Sequence, residues 1–326
     1  MFTRRLGRSG LEVGAIGLGC WAIGGPFWRG ERPIGWGQVD AAESIRAIHR
    51  ALDLGVTVFD TSDAYGAGHS ERILGQALAG RRQDAVIATK VGLTFDEQTR
   101  QLTGEDASPA YLRRACEASL RRLNTDHIDL YQFHPGDYAV DRAVAVRDVL
   151  EELVAAGKIR YYAWSTEQHD GVRVFGEGPH CTATQNGLDL LRDHGHTRGD
   201  DRYAAICEEF DLAWLCNGPL ASGILTGKFT VDSQLPADDV RRRMDFVNGP
   251  QAAQLRQLEA VRDVLTQGGR TLAQGALGWV LARSERTIPI PGFKTVAQVE
   301  ENAAAADFGP LRPEQMREIE ALLGAP

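Results

Sequence analysis

Residues 56–78, with the sequence VTVFDTSDAYGAGHSERILGQAL, contain one complete strand, loop and helix. Residues 56–59 form a short apolar run of β-branched and aromatic residues, which is typical of a buried strand. A polar, glycine-containing loop follows, and residues 70–78 have the apolar spacing of an amphipathic helix. Asp60 stands at the end of the predicted strand, and Tyr65 lies in the loop beyond it. The segment therefore predicts one unit of a parallel α/β sheet.

The same unit recurs along the chain. Seven further apolar runs lie at residues 13–18, 85–88, 128–133, 159–163, 181–184, 212–216 and 288–290. Further helices are predicted at residues 40–54, 108–123, 141–156, 201–210, 251–265, 272–282, 296–304 and 313–323. Asp40 is expected to cap the first of these helices, and Ser108 followed by Pro109 is a strong helix start. Eight strand–helix units predict an α/β fold, a (β/α)8 TIM barrel, with residues 1–326 forming a single domain.

Three stretches lack a regular pattern and predict long loops, near residues 26–39, 92–107 and 220–250. The last is longer than a compact domain needs for a connection, which favours a functional loop. It contains Arg241, Arg242 and Arg243, which are interpreted as a solvated face as readily as part of a lid.

The composition predicts a cytoplasmic globular protein. The net charge is −8, and 43% hydrophobic with 25% charged residues excludes a disordered or fibrous chain. An acidic chain without a basic stripe is not expected to bind nucleic acid. The five cysteines are widely spaced without a C-x-x-C pair, which suits a reducing compartment. The uncharged run 13–28 after Arg4 and Arg5 is too short to span a membrane, and is interpreted as a first strand and its loop.

Three predicted strands end in an ionisable side chain: Asp60, Lys90 and His134. The carboxyl ends of barrel strands share one face, so these groups are expected to meet there with Tyr65. An ammonium beside a phenol favours the phenolate and should bring the pKa of Tyr65 toward neutrality. A neutral histidine can hydrogen-bond a carbonyl oxygen. Because the set contains no good nucleophile, it favours protonation of an oxygen while a hydride donor attacks the carbon.

A dinucleotide-binding Rossmann loop is disfavoured. Gly17 and Gly19 begin a loose G-x-G motif, but Gly24, Gly25 and Pro26 follow where a helix should begin. The glycines are interpreted as letting the backbone pass close to a ligand.

Metal sites are also disfavoured. His194 and His196 form an H-x-H pair beside Asp193, in a polar loop without a strand or helix to fix them. A barrel metallohydrolase built on Asp60 and His134 would usually present several histidines at strand ends, and only one is found.

Four segments resemble the signature sequences of the aldo-keto reductase family. They are FDTSDAYGAGHSERILGQAL (59–78), SLRRLNTDHIDLYQF (119–133) leading into His134, LTGK (225–228) and PIPGFKTVAQVEEN (289–302). The resemblance spans nearly the whole chain. It implies a (β/α)8 barrel that binds NADP(H) in extended form without a Rossmann domain. It also implies that Tyr65 is the general acid–base, that Lys90 and Asp60 tune it, and that His134 orients the carbonyl.

The resemblance implies a site for NADPH, with NADH possible. Ser165, Thr166 and Gln185 would hold the nicotinamide carboxamide, and Glu301 with Asn302 would contact the adenine. The full set expected to bind the cofactor is Gly19, Cys20, Trp21, Asp60, Ser165, Thr166, Gln185, Asn217, Gly218, Pro219, Leu220, Gly223, Leu225, Lys228, Gly292, Lys294, Thr295, Gln298, Glu301 and Asn302.

The phosphates are expected near the LTGK loop and the last strand. The backbone around Leu220, Gly223 and Leu225 would meet the pyrophosphate. Lys294 and Thr295 match positions that contact the 2′-phosphate, and a lysine near a helix start suits a phosphate.

Four positions depart from the family pattern, one of them Trp164, where a small aliphatic residue is common. Asn217 stands where an aromatic residue usually lies under the nicotinamide, and an amide lacks that stacking area. Thr166 replaces the usual asparagine, and Gln298 stands where an arginine often binds the 2′-phosphate. NADPH is nevertheless favoured because Lys294 is present.

The expected substrate contacts are Trp28 and Trp36 in the first loop, and Leu93 and Phe95 after Lys90. Their alternative role is to pack the loops on the barrel rim. The leading hypothesis is an NAD(P)H-dependent reductase of small aldehydes or ketones, with Tyr65 as proton donor. The alternative is a cofactor-sensing subunit that binds NADPH and a partner protein with little turnover.

Overall fold

The computed structural model describes residues 1–191 and 201–324. Its central sheet has eight parallel strands, each hydrogen-bonded to the next: β1 (Leu18–Gly19), β2 (Val58–Asp60), β3 (Val86–Val91), β4 (Ile128–Phe133), β5 (Ile159–Ser165), β6 (Cys181–Gly187), β7 (Ala213–Asn217) and β8 (Thr287–Pro289). A parallel bridge between Gly19 and Gly292 joins the two ends of the sheet. The predicted (β/α)8 barrel is therefore confirmed.

Helices surround the strands. In the described residues they are α1 (Ala41–Asp53), α2 (His69–Ala77), α3 (Pro109–Leu123), α4 (Ala143–Ala155), α5 (His169–Gly176), α6 (Asp201–Glu209), α7 (Pro250–Thr266), α8 (Leu272–Arg283), α9 (Val296–Phe308) and α10 (Pro313–Leu323). Asp40 caps α1 by accepting from two backbone N–H groups, and Ser108 caps α3, as predicted. The sequence analysis missed α5, because its eight residues include two glycines and give too few turns for a helical period. Within the described part, every helix is too short or too polar to cross a membrane.

The first strand differs from its prediction. Residues 13–18 were predicted as one strand, but Thr3–Arg5 and Glu12–Gly14 pair as an antiparallel hairpin and the barrel strand begins only at Leu18. Val13 is buried in the cluster that fills the barrel interior. An apolar run alone does not distinguish a strand in the sheet from a hairpin that closes the barrel end.

Two predicted long loops contain regular structure. Trp28–Arg29 and Arg32–Pro33 pair with each other, and Trp28–Arg29 also pairs with Gln101–Glu105, whose other neighbour is Leu93–Asp96. These short strands form a separate four-stranded sheet above the barrel. Their shortness and mixed polarity explain why the sequence pattern did not reveal them.

The stretch 220–250 begins with a 3-10 segment, Ala221–Thr226, and continues in turns as far as α7. It joins the first loop through an antiparallel bridge between Trp36 and Asp239. Val240 N–H also donates to the Gly35 carbonyl at 2.7 Å. The two loops therefore meet over the same end of the barrel.

Small side chains fill the barrel interior. Strands β3, β5, β6 and β7 each contribute an alanine, and larger aliphatic residues complete the cluster; its strand members are Val58, Ala88, Leu130, Ala163, Ala183, Ala213, Leu215 and Ile288. A Cβ on Gly19 would lie 2.9 Å from the Ile290 carbonyl oxygen, so this glycine permits the barrel to close. Gly19 was predicted to let the backbone approach a ligand, and the structure shows that it is also needed for backbone packing against Ile290.

Candidate active site

Asp60, Lys90 and Tyr65 form a hydrogen-bonded group at the carboxyl end of the barrel. Lys90 Nζ donates to Asp60 Oδ2 at 2.6 Å, to the Thr61 carbonyl at 2.8 Å and to Tyr65 Oη at 3.2 Å. Lys90 is fully buried, and its ammonium also lies 4.8 Å from the centre of the Tyr65 ring. All three donor positions of the ammonium are therefore used, and one of them points to the phenol.

Two glutamines complete the surroundings of Asp60. Gln132 Nε2 and Gln185 Nε2 donate to Asp60 Oδ1 at 2.8 and 2.7 Å. Both side chains are buried, on β4 and β6. The sequence analysis missed Gln132, although a glutamine within an otherwise apolar strand was a visible signal. These amides leave the carboxylate with donors at both oxygens, which makes its burial tolerable.

The pKa values show which groups carry protons. Burial lowers the pKa of Lys90, but the charges of Asp60 and Tyr65 raise it by more, so the lysine stays an ammonium. Burial raises the pKa of Tyr65, and the Lys90 ammonium lowers it by less. The prediction that the pKa of Tyr65 moves toward neutrality is therefore wrong, because burial of the ring disfavours the phenolate more than Lys90 favours it. Tyr65 holds its proton at neutral pH.

His134 follows β4 and lies beside Tyr65. Its backbone N–H donates to the Val91 carbonyl at 2.8 Å, and its ring meets the Tyr65 ring edge-on with centroids 5.8 Å apart. Ring nitrogen Nδ1 lies 3.1 Å from Ser62 Oγ. Burial and then the Lys90 charge hold the pKa of His134 well below its usual range. The imidazole is therefore neutral, as the sequence analysis assumed.

The loop that carries Tyr65 is fixed by a close backbone contact. Gly66 has φ +60°, and a Cβ there would collide with the Gly24 carbonyl. Trp21 stacks on the Tyr65 ring with centroids 5.9 Å apart and an angle of 22°. The phenol is thus held between the Trp21 ring and the Lys90 ammonium.

A cavity of about 670 Å³ opens in front of these groups. Most residues predicted for the cofactor line it: Gly19, Trp21, Asp60, Ser165, Gln185, Asn217, Gly218, Pro219, Leu220, Gly223, Lys228, Gly292, Lys294, Gln298, Glu301 and Asn302. Tyr65 and His134 line it as well. The structure therefore brings Asp60, Tyr65, His134 and most of the predicted cofactor residues to one cavity.

Four predicted cofactor residues do not line this cavity. Cys20 and Leu225 are fully buried in the hydrophobic core. Thr166 donates to the Gly136 carbonyl at 2.6 Å, and Thr295 caps α9 by accepting from a backbone N–H. Each side chain is occupied by packing or by a local hydrogen bond, which sequence matching does not reveal.

Only one of the four predicted substrate residues lines the cavity. Trp36 lines the cavity, whereas Trp28, Leu93 and Phe95 do not. Phe95 instead lies 5.7 Å below the Arg122 guanidinium. These three positions therefore fit the alternative role of packing the loops on the barrel rim.

Three cations gather at one side of the cavity: Lys228, Arg241 and Lys294. Partial desolvation and the charge of Arg241 lower the pKa of Lys228. Asp239 binds Arg241 through both carboxylate oxygens, at 2.9 and 2.7 Å. The Asp239 carboxylate is therefore engaged by Arg241, and the charge of Asp238 also acts on Lys294. Of the two alternatives left open for the three arginines, Arg241 lines the cavity, whereas Arg242 and Arg243 are exposed.

Lys294 also ties down the first loop. Its Nζ donates to the carbonyls of Trp36 and Gln38, at 2.5 and 3.1 Å. Trp36 also contacts Arg241, whose guanidinium lies 4.5 Å from the centre of the Trp36 ring. The two loops and the end of the barrel are thus joined around the cations.

Asn217, which stands where an aromatic residue was expected under the nicotinamide, belongs to a polar group in the cavity. Asn217 Nδ2 and Ser165 Oγ both donate to Gln185 Oε1 at 3.4 Å. These three polar side chains form one edge of the cavity next to Asp60.

No group of three or more histidine, cysteine, aspartate or glutamate side chains suited to a metal occurs within residues 1–191 and 201–324. The H-x-H pair at His194 and His196, and Asp193, lie outside the described residues. The five cysteines are buried, free thiols.

A second cavity, of about 1020 Å³, lies at the opposite end of the barrel. It is lined by the N-terminal hairpin and by residues that precede β7 and β8. Arg5 and Arg286 there both pair with Asp211. Among the described residues, it shares no lining residue with the cavity at Tyr65.

A model of the family described as "Aldo/keto reductase family" matches residues 15–323 of the chain. The aldo-keto reductase YhdN of Bacillus subtilis (strain 168) is 31% identical over 322 residues, 97% of this chain and 91% of the relative. The glycerol dehydrogenase AKR11B4 of Gluconobacter oxydans is structurally similar, with a TM-score of 0.83 and 30% identity over 98% of this chain and 94% of that one. An aldo-keto reductase from Klebsiella pneumoniae, solved in complex with NADPH, has a TM-score of 0.72 and 27% identity over 100% and 96%.

Proposed function

Because this oxidoreductase belongs to the aldo/keto reductase family, we propose that it reduces small aldehydes or ketones to alcohols with NADPH. The observation that carries the proposal is the contact between a buried ammonium and a protonated phenol at the cavity. Lys90 Nζ lies 3.2 Å from Tyr65 Oη, and Tyr65 lines the cavity with His134. We also propose that residues 1–326 form one domain.

The side chains have separate roles in this reaction. Tyr65 gives its proton to the carbonyl oxygen of the substrate, and the Lys90 ammonium stabilises the phenolate that remains. Asp60 holds Lys90 as an ammonium. His134, which is neutral, donates a hydrogen bond to the carbonyl oxygen and orients it toward Tyr65. When bound, NADPH supplies the hydride for the carbonyl carbon.

The cavity residues fit a dinucleotide with phosphates. Lys228, Arg241 and Lys294 bring three cationic side chains to one wall, where phosphate oxygens would pair with them. At Gly223, φ is +95° and a Cβ would lie 3.0 Å from Lys228 Cε, so the absence of a side chain leaves room for a ligand beside the cations. Within the described residues, the Lys228 side chain has no hydrogen bond or ion pair, which leaves it available for a phosphate.

The rest of the cofactor would be held by the remaining lining residues. Ser165 and Gln185 would bind the nicotinamide carboxamide, without the help expected from Thr166. Glu301 and Asn302 would contact the adenine. Lys294 supports a preference for NADPH over NADH, although it also donates to two loop carbonyls.

The substrate would lie beside the aromatic side chains next to Tyr65. Trp21 and Trp36 meet edge-on with centroids 5.3 Å apart, and both line the cavity. Their flat apolar surface suits a small carbonyl compound with an apolar substituent.

The test is a fluorescence titration with NADPH and NADH, followed by reduction of a carbonyl panel that includes 4-nitrobenzaldehyde. We expect NADPH to bind and its absorbance to fall when an aldehyde is added. Tyr65→Phe should bind NADPH as the wild type does and lose turnover. Tyr161→Phe is the matched control, because its hydroxyl bonds only to the Ser9 carbonyl at the other end of the barrel.

Full turnover by Tyr65→Phe would show that the proton donor is misassigned. Tight NADPH binding without reduction of any carbonyl would favour the cofactor-sensing alternative instead.

A further inference from the structure

The hydroxyl of Ser62 contacts three polar groups at once. The Ala64 N–H donates to Ser62 Oγ at 3.1 Å, and the same oxygen lies 3.1 Å from His134 Nδ1 and 3.2 Å from Asp63 Oδ1. Ser62 and Asp63 are almost completely buried, at 0% and 1% exposure, so water does not compete for these contacts. The distribution of protons among the three groups is therefore decided by the side chains themselves.

A hydroxyl has one proton and two lone pairs. The Ala64 N–H occupies one lone pair, so one proton and one lone pair are left for Asp63 and His134. If Ser62 donates to an ionised Asp63, it must accept from His134 Nδ1–H. If a protonated Asp63 donates to Ser62, the hydroxyl donates to His134 Nδ1 instead. The charge of Asp63 and the tautomer of His134 are thus coupled through one oxygen.

The surroundings of Asp63 favour the protonated carboxyl. Within the described residues Asp63 has no ion-pair partner, because Arg122 Nε binds Glu71 at 2.7 Å. Tyr111 on α3 and Tyr131 on β4 also interact with Asp63 and bring no positive charge. Burial, and then the charge of Glu71, raise the pKa of Asp63 well above its usual range, and the charge of Arg122 with the hydrogen bonds from the Ser62 hydroxyl and the Ala64 N–H offsets this only in part.

We propose that Asp63 and Ser62 set the tautomer of His134. A neutral Asp63 donates to Ser62 Oγ, the Ser62 hydroxyl donates to His134 Nδ1, and the imidazole carries its proton on Nε2. Because Nδ1 is turned toward Ser62 and His134 lines the cavity, Nε2–H is the donor left for a carbonyl oxygen. Asp63 and Ser62 are therefore positioning residues. The proposal rests on the proposed function, in which His134 donates to the substrate.

The test is nuclear magnetic resonance of the free protein at pH 7. Protein labelled with ¹⁵N in histidine and ¹³C in aspartate reports the protonated ring nitrogen and the state of each carboxyl. His134→Gln and Asp63→Asn spectra assign the two residues by the signals that disappear. We expect a proton on Nε2 of His134 and a protonated Asp63. An ionised Asp63, or a proton on Nδ1, overturns the proposal.

Two variants test whether the relay causes this state. Ser62→Ala removes the donor to Nδ1 and should shift the tautomer ratio toward Nδ1–H by a factor of about ten, the effect of one buried hydrogen bond. Asp63→Asn keeps a donor toward Ser62 Oγ, so the histidine should keep its proton on Nε2. A Ser62→Ala spectrum identical to that of the wild type refutes the relay, and so does loss of the Nε2 proton in Asp63→Asn.

Ser9→Ala is the matched control. Ser9 Oγ also holds loop backbone, donating to the Leu6 carbonyl at 2.6 Å and accepting from Leu11 N–H at 3.1 Å, but at the far end of the barrel. Its spectrum should match that of the wild type at His134, and thermal melting checks that each variant folds. No substrate or cofactor is needed, so a correct tautomer without carbonyl reduction counts against the proposed function alone.

Discussion

Replacing Lys90 by methionine should destabilise the protein by about 3–5 kcal/mol, because it leaves Asp60 as an unpaired buried charge. Lys90 is 0% exposed and its Nζ lies 2.6 Å from Asp60 Oδ2. At 2.6 Å two unit charges attract by about 6 kcal/mol with an effective dielectric constant of about 20. The amides of Gln132 and Gln185 continue to stabilise the carboxylate, so the loss should stay below that figure.

Equilibrium unfolding in urea measures this loss. The double variant Asp60→Asn/Lys90→Met contains no unpaired charge, so its loss should be smaller than the sum of the two single losses by about 1–3 kcal/mol. Lys158→Met is the control, because Lys158 is a surface lysine that pairs with Glu117. This variant should unfold at the same urea concentration as the wild type.

A decrease of less than about 1 kcal/mol in the unfolding free energy of Lys90→Met would refute the reasoning, because removing one partner of a buried ion pair should leave an uncompensated charge. Strict additivity of the two single losses would refute it as well, since the Asp60 and Lys90 side chains would then not depend on each other for stability.

The other predictions concern activity. Tyr65→Phe should lower kcat for carbonyl reduction by about 100-fold or more while NADPH fluorescence titrations stay unchanged; retention of kcat would contradict the proton-donor role. Reduction needs a protonated Tyr65 and a neutral His134, and burial raises the pKa of the first and lowers that of the second. Lowering the pH to about 6.5, the ordinary pKa of a histidine, should therefore not reduce kcat for reduction, and a fall in kcat on acidification above that pH would contradict a neutral His134. Lys294→Ala should weaken NADPH more than NADH, by about tenfold in the ratio of Kd values, and equal effects would remove Lys294 from the 2′-phosphate. Turnover should be insensitive to a chelator, and its loss with EDTA would point to a metal instead.

The repeated pattern of the sequence was sufficient for the fold. Strand β4 and helix α10 have the predicted bounds, and Asp40 and Ser108 cap their helices as expected. These features depend on neighbours close in the chain, such as an apolar period or a cap side chain within three residues of its partner. The short strands at 28–33 and 93–105 form two local hairpins without a strong sequence pattern, and the pairing that joins the hairpins spans about 70 residues, so the sheet was missed.

The sequence also predicted that Asp60, Lys90 and His134 lie together, because the end of a parallel strand is a position that can be counted along the chain, and it placed Tyr65 in the loop after Asp60. Only the tertiary structure showed that burial raises the pKa of Tyr65, that Arg241 enters the cavity, and that Ser62 lies between Asp63 and His134. Burial, summed charge and proton sharing depend on groups brought together from distant parts of the chain, so residue order alone does not determine them.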